Sequence, residues 1–224
     1  MALNRESKKP PALMETLNEV AKLYGHSLNT HGLTSKSVGW KDEASHRLRF
    51  EKLIQVIKPL RKEEKITVND FGCGYGAMFN YLNEVLGPDL VKYYGYDVSG
   101  EMIGAARQFI NDSRAEFIES PKITHLADYS FISGTFNVKL KVSNEMWTEH
   151  IKETLMNVAA MSKKGFSFNA LSVYIDWKQE DLYYADPFLF FDFCKRKFSR
   201  YVSLLHDYPL FEWTMIVRKE DTSK

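Results

Sequence analysis

The sequence predicts an α/β protein with a doubly wound, mostly parallel sheet of seven strands, helices on both faces and an antiparallel hairpin at the C-terminal end. From Lys65 onwards, short apolar runs alternate with longer amphipathic stretches, which is typical of strands joined by crossover helices. The apolar run at 66–71 leads directly into a glycine turn. The last two apolar segments, 200–205 and 211–218, are separated by too few residues for a crossover helix, so we expect them to pair antiparallel.

The region before this pattern is predicted to be helical. After Pro10 and Pro11, apolar residues recur at helical spacing, which indicates an amphipathic helix ending at Gly25. A loop rich in Gly, Ser and Thr follows, and a second helix over about 43–57 stops before Pro59. We interpret residues 1–60 as a helical lid and residues 61–224 as the main domain, which together form one compact unit.

The remaining elements follow from periodicity and from glycine or proline punctuation. The alternating region predicts strands at 66–71, 92–96, 116–118, 129–133 and 166–170. It predicts helices at 77–86, 100–110, 145–161 and about 187–197. Two lysines and a glycine at 163–165 are typical of a helix C-terminus and predict the end of the third of these helices.

Composition excludes several functional classes. Thirty basic and 29 acidic residues give a formal charge of +1, so we expect neither a nucleic acid nor a membrane as partner. No apolar run approaches the roughly 20 residues of a membrane span, and the first residues lack a signal-peptide core, so we expect a cytoplasmic protein. The two cysteines are too few for a disulfide framework or a four-ligand zinc site, and we predict no metal. Monomer and homodimer both remain open.

The strongest local signal is the glycine turn after the first strand. Gly72, Gly74 and Gly76 follow Asp70 and Phe71, and glycine is needed where the backbone turns sharply and a ligand approaches closely. Twenty-one residues beyond Gly76, Asp97 ends the next strand, where an acid can accept hydrogen bonds from ribose hydroxyls. The spacing of Gly72, Gly74 and Ala77 also fits a dinucleotide fingerprint, so glycine spacing alone leaves the nucleotide open.

Three segments together resemble a known family. The segments 70–76 (DFGCGYG), 95–102 (GYDVSGEM) and 127–135 (ADYSFISGT) resemble the first, second and fourth motifs of the class I S-adenosylmethionine-dependent methyltransferases. The terminal hairpin is similar too, and the likeness covers about 65–218. The resemblance implies a Rossmann-like fold, S-adenosylmethionine as cofactor and S-adenosylhomocysteine as product.

The resemblance also implies roles for individual residues. The glycine turn, including Cys73, would line the methionine part of the cofactor, and Asp70 would face its amino group. Asp97 would hold the ribose, and Met102 would lie against adenine. The segment after the third strand departs from the family pattern, because Glu119, Ser120 and Pro121 do not place an acid next to a glycine. The cofactor-binding residues implied in the main domain are Asp70, Gly72, Cys73, Gly74, Gly76, Asp97, Val98, Met102, Glu119, Ser120, Ser133 and Gly134.

The lid is expected to contribute further contacts. We expect Trp40 to close against the cofactor and Arg49 to pair with a carboxylate of the cofactor or of the substrate. His31 and His46 are placed to reach over the same site. Among these, we assign Trp40 and Arg49 to the cofactor and His31 to the substrate.

The methyl acceptor is expected at the carboxyl ends of the later strands. Thr135, Phe136 and Asn137 follow the fourth strand, and Tyr183 and Tyr184 follow the fifth, where hydroxyls and ring faces can bind a polar or cationic molecule. His206 ends the penultimate strand with Asp207 beside it. Because a histidine side chain can take up and release a proton near neutral pH, His206 is our candidate for a general base.

These observations lead to one functional prediction with three alternatives. We predict methyl transfer to a nitrogen or oxygen of a small-molecule metabolite, with alignment of the reactants as the main catalytic device. An RNA methyltransferase would use the same cofactor, but it would normally carry a basic surface. An NAD(P)-dependent oxidoreductase fits the glycines, but the nucleotide strand begins only after about 65 residues and little chain is left for a substrate domain. A non-catalytic cofactor-binding protein is the third alternative.

Overall fold

The computed structural model describes residues 10–220, which form seven strands and six α-helices. The strands are β1 (Ile66–Phe71), β2 (Val91–Asp97), β3 (Ala115–Glu119), β4 (Ala127–Ile132), β5 (Ser162–Leu171), β6 (Tyr201–Leu205) and β7 (Glu212–Arg218). The helices are α1 (Pro11–His31), α2 (Glu43–Leu53), α3 (Ala77–Leu86), α4 (Gly100–Phe109), α5 (Asn144–Ala160) and α6 (Pro187–Lys197). Short 3₁₀ turns occupy Ser35–Val38 and Ile54–Val56.

The strands form one sheet in the order β3-β2-β1-β4-β5-β7-β6. The first five strands are parallel, and β7 runs antiparallel to both β5 and β6. The predicted fold class is therefore confirmed. The strand order changes direction between β1 and β4, and in open α/β sheets the crevice at that point, beyond the carboxyl ends of the strands, is where ligands bind.

Two clusters of buried apolar side chains cover the sheet. One cluster combines Phe166, Phe168 and Trp213 of the sheet with apolar residues of α5 and α6. The other combines Val68 and Phe131 with apolar residues of α2, α3 and α4. Alternate residues of one strand enter different clusters, because successive side chains of a strand point to opposite faces. Helices therefore pack on both faces, as the sequence predicts.

The prediction that the first helix ends at Gly25 is wrong. The helix α1 continues to His31, and Gly32, at φ +64°, follows it. Gly25 is buried against α4, where an added Cβ would lie 2.0 Å from Oε2 of Glu101. The glycine therefore permits a close helix contact rather than a helix end. Among residues 10–220, no helix is both long and apolar enough to span a membrane.

The predicted C-terminal signal of the long helix is also wrong. The residues at 163–165 lie inside β5, which begins directly after α5. Gly165 is needed there because an added Cβ would lie 2.5 Å from the carbonyl oxygen of Val217 in the neighbouring strand. Close approach of two strands and the end of a helix both select glycine, so the sequence pattern did not distinguish them. The division of the chain at residue 60 stays a prediction.

Candidate active site

A cleft of about 820 Å³, partly open to solvent, lies beyond the carboxyl ends of β1, β2 and β4. The helix α1 and the segment that leads to α2 cover it from the other side. The predicted site residues that line the cleft are Trp40, Asp70, Gly72, Cys73, Gly74, Asp97, Val98, Met102, Ser120, Ser133, Gly134 and Thr135, together with His46.

The glycine turn forms the floor of this cleft. Gly72 and Gly74 adopt positive φ angles of +76° and +53°. The amide of Gly72 donates to the carbonyl oxygen of Tyr96 at 2.7 Å, which ties the turn to the end of β2. An added Cβ on Gly72 would lie 2.1 Å from Oγ1 of Thr135, so the turn leaves no room for a side chain. This close fit positions the backbone of the turn at the base of the cleft.

Asp97 lies at the end of β2 on one side of the glycine turn. Its Oδ2 accepts a hydrogen bond from the amide of Gly74 at 3.0 Å, and its Oδ1 accepts one from the amide of Ser99 at 2.9 Å. Burial raises the pKa of this carboxyl group against the effect of those hydrogen bonds. The backbone amide of Val98 also hydrogen-bonds to this carboxyl group. A carboxylate has about four acceptor sites, so Asp97 retains capacity for a ligand hydroxyl beside these three amides.

Asp70 lies deeper, at the end of β1. The hydroxyl of Tyr93 donates to its Oδ2 at 2.5 Å. Burial raises the pKa of Asp70 to about 7, and the neighbouring Asp97 acts in the same direction. A ligand cation beside Asp70 would favour the ionised carboxylate and lower this pKa.

The raised pKa of Asp70 predicts a pH dependence of stability. The folded protein holds a proton that the unfolded chain has lost between pH 3.8 and about 7. We therefore expect the free energy of unfolding of the ligand-free protein to fall as pH rises through this range, since the folded state binds more protons there. In Asp70→Asn this part of the slope should disappear. Urea unfolding at several pH values measures both slopes, and equal slopes would contradict the raised pKa.

Trp40 and Gly134 meet at the other side of the glycine turn, where β4 ends. An added Cβ on Gly134 would lie 2.3 Å from the indole ring, so only glycine permits this contact. The guanidinium of Arg49 stacks on Trp40, with its Cζ 3.6 Å from the centroid of a Trp40 ring. Trp40 therefore forms a wall of the cleft at the end of β4.

Arg49 does not reach the cleft, although we expected it to pair with a ligand carboxylate. Its Nε and Nη2 donate to the two carboxylate oxygens of Glu212, at 2.9 and 3.0 Å. Both side chains are buried, at 8% and 1% exposure. Glu212, at the start of β7, thus neutralises the charge of Arg49. The contribution of Arg49 to the site is to position the ring of Trp40.

His46 places an imidazole ring in the lining of the cleft. Its ring packs 4.5 Å from Phe50 and 6.2 Å from Trp40, measured between ring centroids. Burial lowers the pKa of His46 to about 4, so the ring is neutral near pH 7. A neutral imidazole offers one hydrogen-bond donor and one acceptor.

Several predicted substrate residues lie outside the cleft. Phe136 is in the core against Phe168, and the buried Asn137 accepts from the amide of Leu171 at 3.2 Å. The hydroxyl of Tyr183 lies 2.5 Å from Oγ1 of Thr148, and that of Tyr184 accepts from the amide of Gln179 at 3.0 Å. Thr135 does line the cleft, but its hydroxyl donates to the carbonyl of Phe71 at 3.0 Å. His31 is an exposed residue at the end of α1.

Three further expected residues are also outside the lining. Gly76 packs towards the core, where an added Cβ would lie 2.6 Å from Ile110. Glu119 points over Gly100 at the start of α4. His206 is exposed at the end of β6, the edge strand, three strand positions from β4 and therefore roughly 14 Å away along the sheet. We assign no base role to His206.

The structure adds lining residues that sequence reasoning missed. Val20 and Tyr24 come from α1, Phe50 from α2, Met78 from α3 and Val38 from the turn before α2. The spacing of Val20 and Tyr24 places them on one face of a helix, but a helix of the core shows the same spacing. Nothing in the sequence identified that face as part of a ligand site.

The cleft fits a cationic nucleoside cofactor. The glycine cradle leaves no space for a Cβ, and Asp97 retains free acceptor capacity beside it. Asp70 and Asp97 supply acidic groups, while no lysine or arginine within residues 10–220 lines the cleft. Ser133 offers a buried hydroxyl oxygen with no hydrogen-bond partner among the described residues. This combination on a doubly wound parallel sheet is the one expected of enzymes that bind a nucleoside cofactor with positive charge.

Comparisons with known proteins agree with this class. The chain is 47% identical over 159 residues to the Mycobacterium tuberculosis protein named "Putative methyltransferase Rv1506c", and the match covers 70% of this chain and 95% of that protein. The chain therefore belongs to the same family of methyltransferases as this relative. No family model matches the chain.

Solved structures share the fold at low sequence identity. One is the 1,6-didemethyltoxoflavin-N1-methyltransferase of Burkholderia thailandensis with bound S-adenosylhomocysteine, with a TM-score of 0.64, 14% identity and 99% coverage of both chains. Another is the magnesium protoporphyrin IX methyltransferase of Synechocystis PCC 6803, also with S-adenosylhomocysteine, with a TM-score of 0.63 and 11% identity over 93% of this chain and 97% of that one. These structures show that the chain shares the fold of methyltransferases that were solved with S-adenosylhomocysteine bound.

Proposed function

We propose that the protein transfers the methyl group of S-adenosylmethionine to a nitrogen or oxygen atom of a small molecule. The observation that carries this proposal is the wall at the end of β4, where the Trp40 ring lies against Gly134. Asp97, the expected ribose contact, lies on the other side of the glycine turn, so the wall stands at the end of the cleft where the methyl group would leave.

The chemistry requires little from the protein beyond alignment. When bound, the cofactor supplies a methyl group on a cationic sulfur, which is already an activated leaving group. Trp40 and Phe50 give the cleft an aromatic wall that excludes water and orients a flat acceptor. The neutral imidazole of His46 can accept a hydrogen bond from an N–H or O–H of that acceptor. The hydroxyl of Ser133, which has no hydrogen-bond partner among residues 10–220, offers a second polar contact.

Charge supports a small acceptor over RNA. The chain has a formal charge of +1, and within residues 10–220 the cleft has no lysine or arginine in its lining. Most hydrogen bonds of nucleic-acid complexes go to phosphate and sugar, with lysine and arginine as frequent donors. The Burkholderia thailandensis structure, whose bound acceptor is the small molecule 1,6-didemethyltoxoflavin, has the same fold.

A labelling experiment tests this proposal. The purified protein is incubated with cofactor carrying a radioactive methyl group, once with the dialysable fraction of a cell extract and once with total RNA. We expect label in dialysable products only. Label in RNA would overturn the assignment in favour of an RNA methyltransferase.

Replacing Trp40 with alanine separates the acceptor from the cofactor. We expect turnover of the dialysable acceptor to fall by about tenfold or more, since the aromatic wall aligns it. Affinity for S-adenosylhomocysteine, measured by calorimetry, should change by less than about threefold. The reason is that the proposed contact of Trp40 is with the acceptor, so its loss does not alter the binding free energy of S-adenosylhomocysteine. Trp177→Ala, at an exposed tryptophan outside the cleft lining, is the matched control. An equal loss of S-adenosylhomocysteine affinity in Trp40→Ala would place Trp40 on the cofactor instead.

A further inference from the structure

The helix α1 provides part of the cofactor cleft rather than only packing on the domain. Val20 and Tyr24, one turn apart on the same face of α1, both line the cleft. Gly25, the next residue, lies directly on Glu101 in the first turn of α4, so α1 is held against α4 at this point. Because α4 follows Asp97 and carries Met102, the contact places α1 over the nucleoside end of the cleft.

The hydroxyl of Tyr24 is a polar group that lacks a hydrogen-bond partner in the described part of the chain. Within residues 10–220 it makes no hydrogen bond, although the side chain is half-buried. Other buried tyrosines of the fold have hydrogen-bonded hydroxyls. That of Tyr93 donates to Asp70, and that of Tyr208 lies 2.8 Å from Oγ1 of Thr214. A half-buried hydroxyl beside a ligand cleft is a group that a ligand can satisfy.

Tyr24 also interacts electrostatically with Asp97. Burial, with the negative charge of Asp97 as a second cause, raises the pKa of Tyr24 to about 12. The hydroxyl therefore keeps its proton and remains a hydrogen-bond donor. Asp97 is an acceptor with capacity left after its bonds to Gly74 and Ser99.

We propose that Tyr24 is a cofactor-binding residue whose hydroxyl, together with the carboxylate of Asp97, binds the ribose of S-adenosylmethionine. A ribose hydroxyl between them donates a hydrogen bond to the carboxylate of Asp97 and accepts one from the hydroxyl of Tyr24, which satisfies both protein groups at once. The helix α1 is then the outer wall of the nucleoside site. This inference rests on the assignment of Asp97 to the ribose, and it is independent of the identity of the acceptor.

Calorimetric titration with S-adenosylhomocysteine tests the proposal without any methyl acceptor. We expect Tyr24→Phe to weaken binding by about fivefold to tenfold, the effect of one hydrogen bond. Tyr174→Phe, which changes an exposed tyrosine outside the cleft lining, should bind as the unchanged protein does. Unchanged affinity in Tyr24→Phe would overturn the proposal.

Analogues of S-adenosylhomocysteine that lack the 2′- or the 3′-hydroxyl identify the contact. The unchanged protein should lose affinity for the analogue whose missing hydroxyl meets Tyr24, and Tyr24→Phe should lose less, because the two changes remove the same hydrogen bond. If the loss of binding free energy caused by Tyr24→Phe and the loss caused by the missing hydroxyl were additive for both analogues, the ribose contact would be overturned.

Asp97→Asn separates this inference from the assignment on which it rests. Normal binding in Asp97→Asn would remove the ribose assignment itself. Weakened binding in Asp97→Asn with normal binding in Tyr24→Phe would overturn only the role of Tyr24.

Discussion

Replacing Glu212 with glutamine is expected to lower the free energy of unfolding by about 3–5 kcal/mol, the usual effect of breaking a buried ion pair. Glu212 accepts two hydrogen bonds from Arg49, and both side chains are at most 8% exposed. The substitution leaves the guanidinium charge in the protein interior without its counter-charge. Urea unfolding at pH 7 measures the effect.

The chain supplies a matched control on its surface. Arg47 donates to both carboxylate oxygens of Glu84 at 2.7 Å, in the same forked geometry, but this pair is largely exposed. We expect Glu84→Gln to leave the free energy of unfolding nearly unchanged, because water screens the exposed charges. If Glu84→Gln and Glu212→Gln had equal effects, burial would not be the source of the stability.

A double substitution distinguishes the charge from the packing. Arg49→Met with Glu212→Leu removes both charges and fills a similar volume, so we expect it to recover most of the lost stability. Trp40 loses the guanidinium on which it stacks in this variant. We therefore expect methyl transfer to remain reduced although the fold is restored, which would separate the two roles of Arg49.

Replacing Asp97 with alanine is expected to weaken S-adenosylmethionine binding by about 100-fold, since two hydrogen bonds to a charged acceptor are lost, each worth about 1.5 kcal/mol or more. The alanine also removes the acceptor for the amides of Gly74 and Ser99, which hold the glycine turn. Calorimetric titration measures the change directly. The free energy of unfolding of the variant, measured separately, shows how much of the loss comes from the turn.

Asp207→Asn is the control for that substitution. Asp207 is an exposed carboxylate 3.5 Å from Nζ of Lys52, and it does not line the cleft. We expect its loss to leave cofactor affinity unchanged. Affinity in Asp97→Ala within about twofold of the unchanged protein would contradict the ribose assignment and the nearby role of Tyr24 together.

The sequence alone predicted those parts of the protein that depend on local constraints. A run of apolar residues followed by closely spaced glycines permits few backbone conformations, so the sequence predicted both β1 and the turn after it, where the glycines adopt positive φ. The short connection between the last two strands permits only an antiparallel pair, and β6 and β7 form it. Helices α3 and α6 have the predicted bounds, because glycine or proline marks their beginnings.

Tertiary structure alone decided which side chains of the lid meet the cleft. Arg49 and Glu212 are 163 residues apart in the chain, and no local pattern indicates that they pair. The helical spacing of Val20 and Tyr24 looks the same whether that face covers core or cofactor. Gly25 suits a helix end as well as a close helix contact, and only the neighbouring α4 selects the second. Backbone conformation depends on neighbouring residues and can therefore be predicted from a short stretch of sequence. The residue that pairs with a buried charge, or that packs on a helix face, depends on how the sheet brings distant segments together.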